Sequence, residues 1–71
     1  SSRQAKQKLY VIAEELINKG GPCSIPELSD YIVSKNKKNV RWLPQRSTIS
    51  AWLRINSAFY VDINNRWHIN R

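Results

Sequence analysis

Between Arg3 and Lys19 the apolar residues fall at Ala5, Leu9, Ile12, Ala13, Leu16 and Ile17. That spacing draws one stripe on a helix of about 3.6 residues per turn. Lys6, Lys8, Glu14, Glu15 and Lys19 lie mostly off the stripe. Gly20-Gly21-Pro22 stops the helix, because glycine accepts a left-handed cap and proline cannot continue the hydrogen-bond ladder. Cys23-Ser24-Ile25 follows as a short bridge or minimal strand. Ser24 and Glu27 have the spacing of a capping box, and Pro26 suits a first helical turn. Leu28, Tyr31 and Ile32 give a second helix its apolar face, predicted to run to about Lys35. Lys35-Asn36-Lys37-Lys38-Asn39 then reads as a solvated basic loop. Val40-Arg41-Trp42-Leu43 brings apolar side chains back toward the body.

Pro44 is predicted to start a third helix, with Ile49, Trp52, Leu53 and Asn56 on one side. On a helical wheel the opposite side carries Ser47, Ser50, Ala51 and Arg54, flanked by Arg46 and Thr48. The period then changes. Phe59, Val61 and Ile63 alternate with Tyr60 and Asp62, which is strand spacing. Asn64-Asn65 is predicted as a two-residue hairpin turn, since asparagine tolerates positive φ. Arg66-Trp67-His68-Ile69 returns with Trp67 and Ile69 on one face and His68 pointing outward. The predicted fold class is α+β, a three-helix bundle closed by a C-terminal β-hairpin wing.

Size limits what this pattern can build. A chain of 71 residues forms one domain. A chain this short buries only about 60% of the surface its unfolded state exposes. Three tryptophans, three tyrosines and one phenylalanine compensate with large apolar area from few residues. The single cysteine, Cys23, excludes a disulfide framework and points to an intracellular home, in cytoplasm, nucleoid or nucleus. It is expected as a small buried apolar residue. No apolar run is long enough to cross a membrane, and no membrane partner is expected. The chain holds no methionine, so it reads as a piece of a longer protein, with residues 1–4 disordered or an expression remnant.

Charge is distributed unevenly. Up to Asp30, Arg3, Lys6, Lys8 and Lys19 balance Glu14, Glu15, Glu27 and Asp30. From Tyr31 onward Lys35, Lys37, Lys38, Arg41, Arg46, Arg54, Arg66 and Arg71 face one acid, Asp62, so this half carries the whole formal +7. A basic field confined to one part of a small domain calls for a polyanionic partner. Enzyme chemistry is not expected: there is no P-loop, no H-x-x-x-H pair, no C-x-x-C and one lone histidine. No catalytic residue, metal site, cofactor or small-molecule substrate is therefore assigned.

Three helices followed by a hairpin resemble the winged-helix superfamily over about residues 5–70. The residues that carry the resemblance are Ser24-Ile25-Pro26-Glu27-Leu28, Thr48-Ile49-Ser50-Ala51-Trp52-Leu53, and Phe59 to Ile63 with Arg66-Trp67-His68-Ile69. Within that superfamily, the start of helix 2 and the Trp67-x-Ile69 ending look most like compact helix-turn-helix modules of the HARE type. The connection from Lys35 to Leu43 exceeds the tight turn of a minimal helix-turn-helix. The resemblance implies double-stranded DNA binding, as in a transcription regulator or a nucleoid- or chromatin-associated protein. The third helix would enter the major groove and the wing would touch backbone or minor groove.

The residues agree with that expectation independently. Arg54 can pair with guanine, and Ser50 and Ala51 leave room to approach base edges. Arg46, Ser47 and Thr48 suit phosphates near a helix start. Lys35, Lys37, Lys38 and Arg41 suit a phosphate clamp, and Asn64, Asn65 and Arg66 a minor groove. Each has a plainer reading: solvated lysines, a solvent face, a good turn. Trp52 and Trp67 are expected in the core, and Trp42 as a packing residue rather than a base-stacking one. A protein-docking adaptor, with an apolar patch around Tyr10, Trp42 and Tyr60, satisfies the same fold. So does an RNA-binding module that stacks bases on Trp42, Tyr60 or His68. Any oligomer is expected to rely on parts outside this segment.

Overall fold

The computed structural model describes residues 2–35 and 44–70. Helix α1 spans Ser2–Gly20, α2 Ile25–Lys35 and α3 Arg46–Arg54; strands β1 (Phe59–Val61) and β2 (Trp67–Ile69) close the chain. This is the α+β three-helix arrangement with a β-wing. Helix α1 starts one residue before the predicted Arg3, so it runs through Ser2, Arg3 and Gln4 of the stretch expected to be disordered. The predicted basic loop residues Lys37, Lys38 and Arg41, and Trp42 beside them, lie outside the described residues.

The apolar stripes converge as their spacing dictates. Leu9, Ile12, Ala13 and Ile17 of α1 meet Leu28 and Ile32 of α2, Ile49 and Leu53 of α3, and Phe59 and Trp67 of the hairpin. Trp52 and Tyr31 pack half-buried against this cluster. Gly21 ends α1 with φ 84°, the left-handed conformation that glycine adopts without a Cβ clash, and its N–H bonds the Ile17 carbonyl at 2.8 Å. At the start of α2 the capping box is complete. The Glu27 N–H donates to Ser24 Oγ at 3.3 Å, and the Ser24 N–H donates to Glu27 Oε1 at 3.0 Å.

The predicted minimal strand is a single bridge. Cys23 pairs antiparallel with Trp67, its N–H on the Trp67 carbonyl at 3.2 Å and the Trp67 N–H on its own carbonyl at 2.7 Å. The α1–α2 connection is thereby fastened to the wing. Cys23 is buried, and burial pushes its thiol up to about 11. Tyr10 makes a second cross-tie: its hydroxyl donates to the Trp52 carbonyl at 2.8 Å, and its ring lies 5.9 Å from that of Phe59.

Two boundaries differ from the sequence reading. Helix α3 begins at Arg46 rather than Pro44, because Gln45 is extended (φ −64°, ψ 153°) and serves as the N-cap. The hairpin turn is not the two-residue Asn64-Asn65. The register pairs Phe59 with Ile69, Tyr60 with His68 and Val61 with Trp67, and the Asp62 N–H donates to the Arg66 carbonyl at 3.0 Å. The loop is therefore Ile63-Asn64-Asn65, with Asn65 left-handed at φ 60°, as in a three-residue loop that ends in a bulge. Ile63, predicted as part of the alternating strand, lies in the loop instead and stands 96% exposed.

Candidate functional site

Helix α3 presents two unlike faces. Ile49 and Leu53 are fully buried, while Arg46, Ser47, Ala51 and Arg54 are exposed and Thr48 and Ser50 half-buried. Eight helical steps separate the two arginines, about 12 Å along the axis. Neither arginine has a hydrogen-bond or ion-pair partner for its side chain among the described residues. The helix start has no side-chain cap. Its first intrahelical bond is from the Ile49 N–H to the Gln45 carbonyl at 2.9 Å. The N–H groups of the first turn thus face outward beside Arg46 and Ser47, with the positive end of the helix dipole behind them.

The rest of the surface leaves this face unopposed. No Asp or Glu occurs from Tyr31 to Val61. Three of the five acids are engaged elsewhere. Glu15 of α1 pairs with Lys35, which holds its carboxyl below the ordinary value, and it also accepts a hydrogen bond from the Tyr31 hydroxyl. The Ser24 N–H and hydroxyl lower Glu27 in the same way, and Arg66 adds to the effect at 2.9 Å. Asp62 is lowered chiefly by His68, whose Nε2 lies 2.7 Å from its carboxylate. An ionised carboxylate only accepts hydrogen bonds, so His68 Nε2 carries the proton in that contact.

The predicted contact residues therefore divide. Arg46, Ser47, Ser50 and Arg54 share the outward face of α3, with Thr48 at its edge. Asn64 and Asn65 are exposed at the apex of the wing. Arg66 is turned away from that apex: its Nη2 donates to the Pro22 carbonyl at 3.0 Å and pairs with Glu27, so it staples the wing to the start of α2. Lys35 is likewise tied back to α1 through Glu15, with its ammonium 5.6 Å from the centre of the Tyr31 ring.

Sequence reasoning missed the organisation of the wing. Asp62 Oδ1 accepts the N–H groups of Asn64 at 2.8 Å and Arg66 at 3.0 Å. His68 stacks on Tyr60 with ring centroids 4.8 Å apart and planes 5° from parallel. Rather than pointing freely outward, His68 is half-buried between Tyr60 and Asp62. Asp62-x-Asn64, a local Asx pattern, was the signal available for the loop. Of the residues named for an apolar patch, Tyr10 is half-buried against Phe59 and Trp52, Tyr60 is exposed, and Trp42 lies outside the described residues.

Among the described residues no cluster of His, Cys, Asp or Glu can hold a metal ion, and no helix is long and apolar enough to cross a membrane. No protein-family model, curated protein or solved structure matches the chain.

Proposed function

We propose that this chain is a winged-helix-type domain that binds double-stranded DNA, serving a transcription regulator or a nucleoid- or chromatin-associated protein. In this reading α3 lies in the major groove and the wing reaches the backbone or minor groove. The observation that carries it is the exposed face of α3, which holds small side chains, no acid, and two arginines that have no side-chain partner among the described residues. A slim helix face of this kind approaches base edges, and arginine recognises guanine through two hydrogen bonds. The unpartnered N–H groups at the helix start suit a phosphate. Because Lys35 and Arg66 are held by Glu15 and Glu27, the electrostatic contribution falls to α3 and to the lysines and arginine of the 36–43 segment.

Titration with duplex DNA at several salt concentrations tests this. Contact with about 4–6 phosphates gives a slope of log K against log salt near −4 to −5. Absence of binding at low salt would sink the proposal. A protein-docking role is favoured by a separate feature, a shallow groove of about 470 Å³ lined by Gln7, Lys8, Val11, Ile12 and Lys35. Binding of duplex DNA that leaves this groove unperturbed would set the docking role aside.

A further inference from the structure

We propose that Ile63 is an apolar wedge, carried by the wing into the minor groove, that kinks a bound duplex at a flexible base step. The inference rests on the DNA-binding reading above and adds to it how the wing engages.

Single apolar residues on a surface ordinarily need no explanation. Ile63 differs in exposure, position and support. Val11 and Ile55, the next most exposed large hydrophobics among the described residues, are each 66% exposed, whereas Ile63 is 96% exposed at the apex of the hairpin. Turn positions favour Gly, Asn, Asp, Pro and Ser, so an isoleucine there gives the local backbone nothing. It gives the core nothing either.

The loop that presents Ile63 is nonetheless fastened from several sides. Asp62 Oδ1 accepts the N–H groups of Asn64 and Arg66, and Oδ2 meets His68 at 2.7 Å. The Asn65 N–H closes on the Asp62 carbonyl at 3.1 Å. Below the loop, Arg66 is stapled to Pro22 and Glu27. A β-branched side chain is itself stiff about χ1. Little freedom is left to lose when such a tip meets a ligand, which is the condition for a contact of this size to add affinity.

The flanks define the ligand. Asn64 and Asn65 are exposed beside Ile63 and carry amides that both donate and accept. The minor groove of A·T pairs offers only acceptors, adenine N3 and thymine O2. The nearest acid, Asp62, faces inward to the loop N–H groups and to His68 rather than toward the tip. Apolar side chains inserted from the minor groove unstack a base step and bend DNA toward the major groove. TA and CA steps yield most readily. A·T-rich sites with such a step beneath the wing are the substrate class this tip fits.

The test uses the intact chain and a duplex labelled at both ends for energy transfer, with 2-aminopurine beside a central TA step. Wild type is expected to bend the duplex by roughly 20–90° and to raise the 2-aminopurine emission. Ile63→Ser touches no core contact, so its thermal melt should match wild type. It should bind about tenfold more weakly with the same salt slope, because no charge is lost, and it should lose both the bend and the emission change. Ile63→Leu should retain both. Wild type that binds without bending, or Ile63→Ser that bends as wild type does, overturns the wedge and leaves the DNA-binding reading standing. Wild type that binds no duplex at low salt overturns that reading and the wedge together.

Discussion

Replacing Trp67 with alanine is expected to destabilise this domain severely. Trp67 is 3% exposed and sits where three parts of the chain meet. Its backbone pairs with Cys23 on one side and lies opposite Val61 on the other, and its side chain fills the core beneath the hairpin. Truncating a buried tryptophan to alanine costs about 3–5 kcal/mol through lost burial and the cavity left behind. Stability of roughly 0.05–0.15 kcal/mol per residue gives a chain of 71 residues about 4–11 kcal/mol in all. The substitution therefore removes at least about a quarter of the stability, and most or all of it at the low end. Each lost kcal/mol lowers the melting temperature of a domain this size by about 4–8 °C. Thermal unfolding followed by circular dichroism should show a fall of at least about 12 °C, or no cooperative transition at all. A loss under 5 °C would mean that the hairpin is not part of the core.

Arg54→Ala is expected to flatten the sequence preference of binding while leaving the fold untouched. Arg54 is exposed at the C-terminal end of the outward face of α3, clear of Ile49 and Leu53. A paired arginine–guanine contact discriminates against the wrong base by about 1–3 kcal/mol, or roughly 5- to 150-fold. Losing it should raise the Kd for the preferred duplex and scarcely change that for its single-base variants. Arg46→Ala, at the helix start, should instead weaken every sequence alike and reduce the salt slope by about 1. Competition binding against a set of single-base variants distinguishes the two. Equal loss on all sequences from Arg54→Ala would make it a phosphate contact and move base reading elsewhere.

What the sequence disclosed and what it hid have separable causes. The stripe of α1, the Ser24–Glu27 capping box and the glycine stop are local patterns, and the structure reproduces them. The outward face of α3 was legible for the same reason. The turn was misread because Asn64-Asn65 satisfies local turn chemistry. The register argument was nevertheless present in the chain. With Phe59 and Val61 on one face of the hairpin together with Trp67 and Ile69, cross-strand partners require a loop with an odd number of residues. A two-residue turn would have slipped the register by one and set Trp67 opposite Asp62. Arg66 was placed at the wing tip by its neighbours in sequence. Its partners, Glu27 and Pro22, are distant in the chain and become adjacent only once Cys23 bridges Trp67. The same holds for Lys35 and Glu15, so half of the basic residues that looked available outside the 36–43 segment and the C-terminus are in use within the fold.

In the proposed mode of binding one surface, the outer face of α3 with the apex of the wing, receives a duplex. A map of backbone amide shifts during titration with an A·T-rich and a G·C-rich duplex tests it most directly. The largest changes are expected at Arg46, Ser47, Ser50, Ala51 and Arg54 and at Ile63, Asn64 and Asn65. Glu14 and Asn18 of α1 should stay in place. Shifts centred on Gln7, Val11 and Ile12, or none at any duplex concentration, would contradict it.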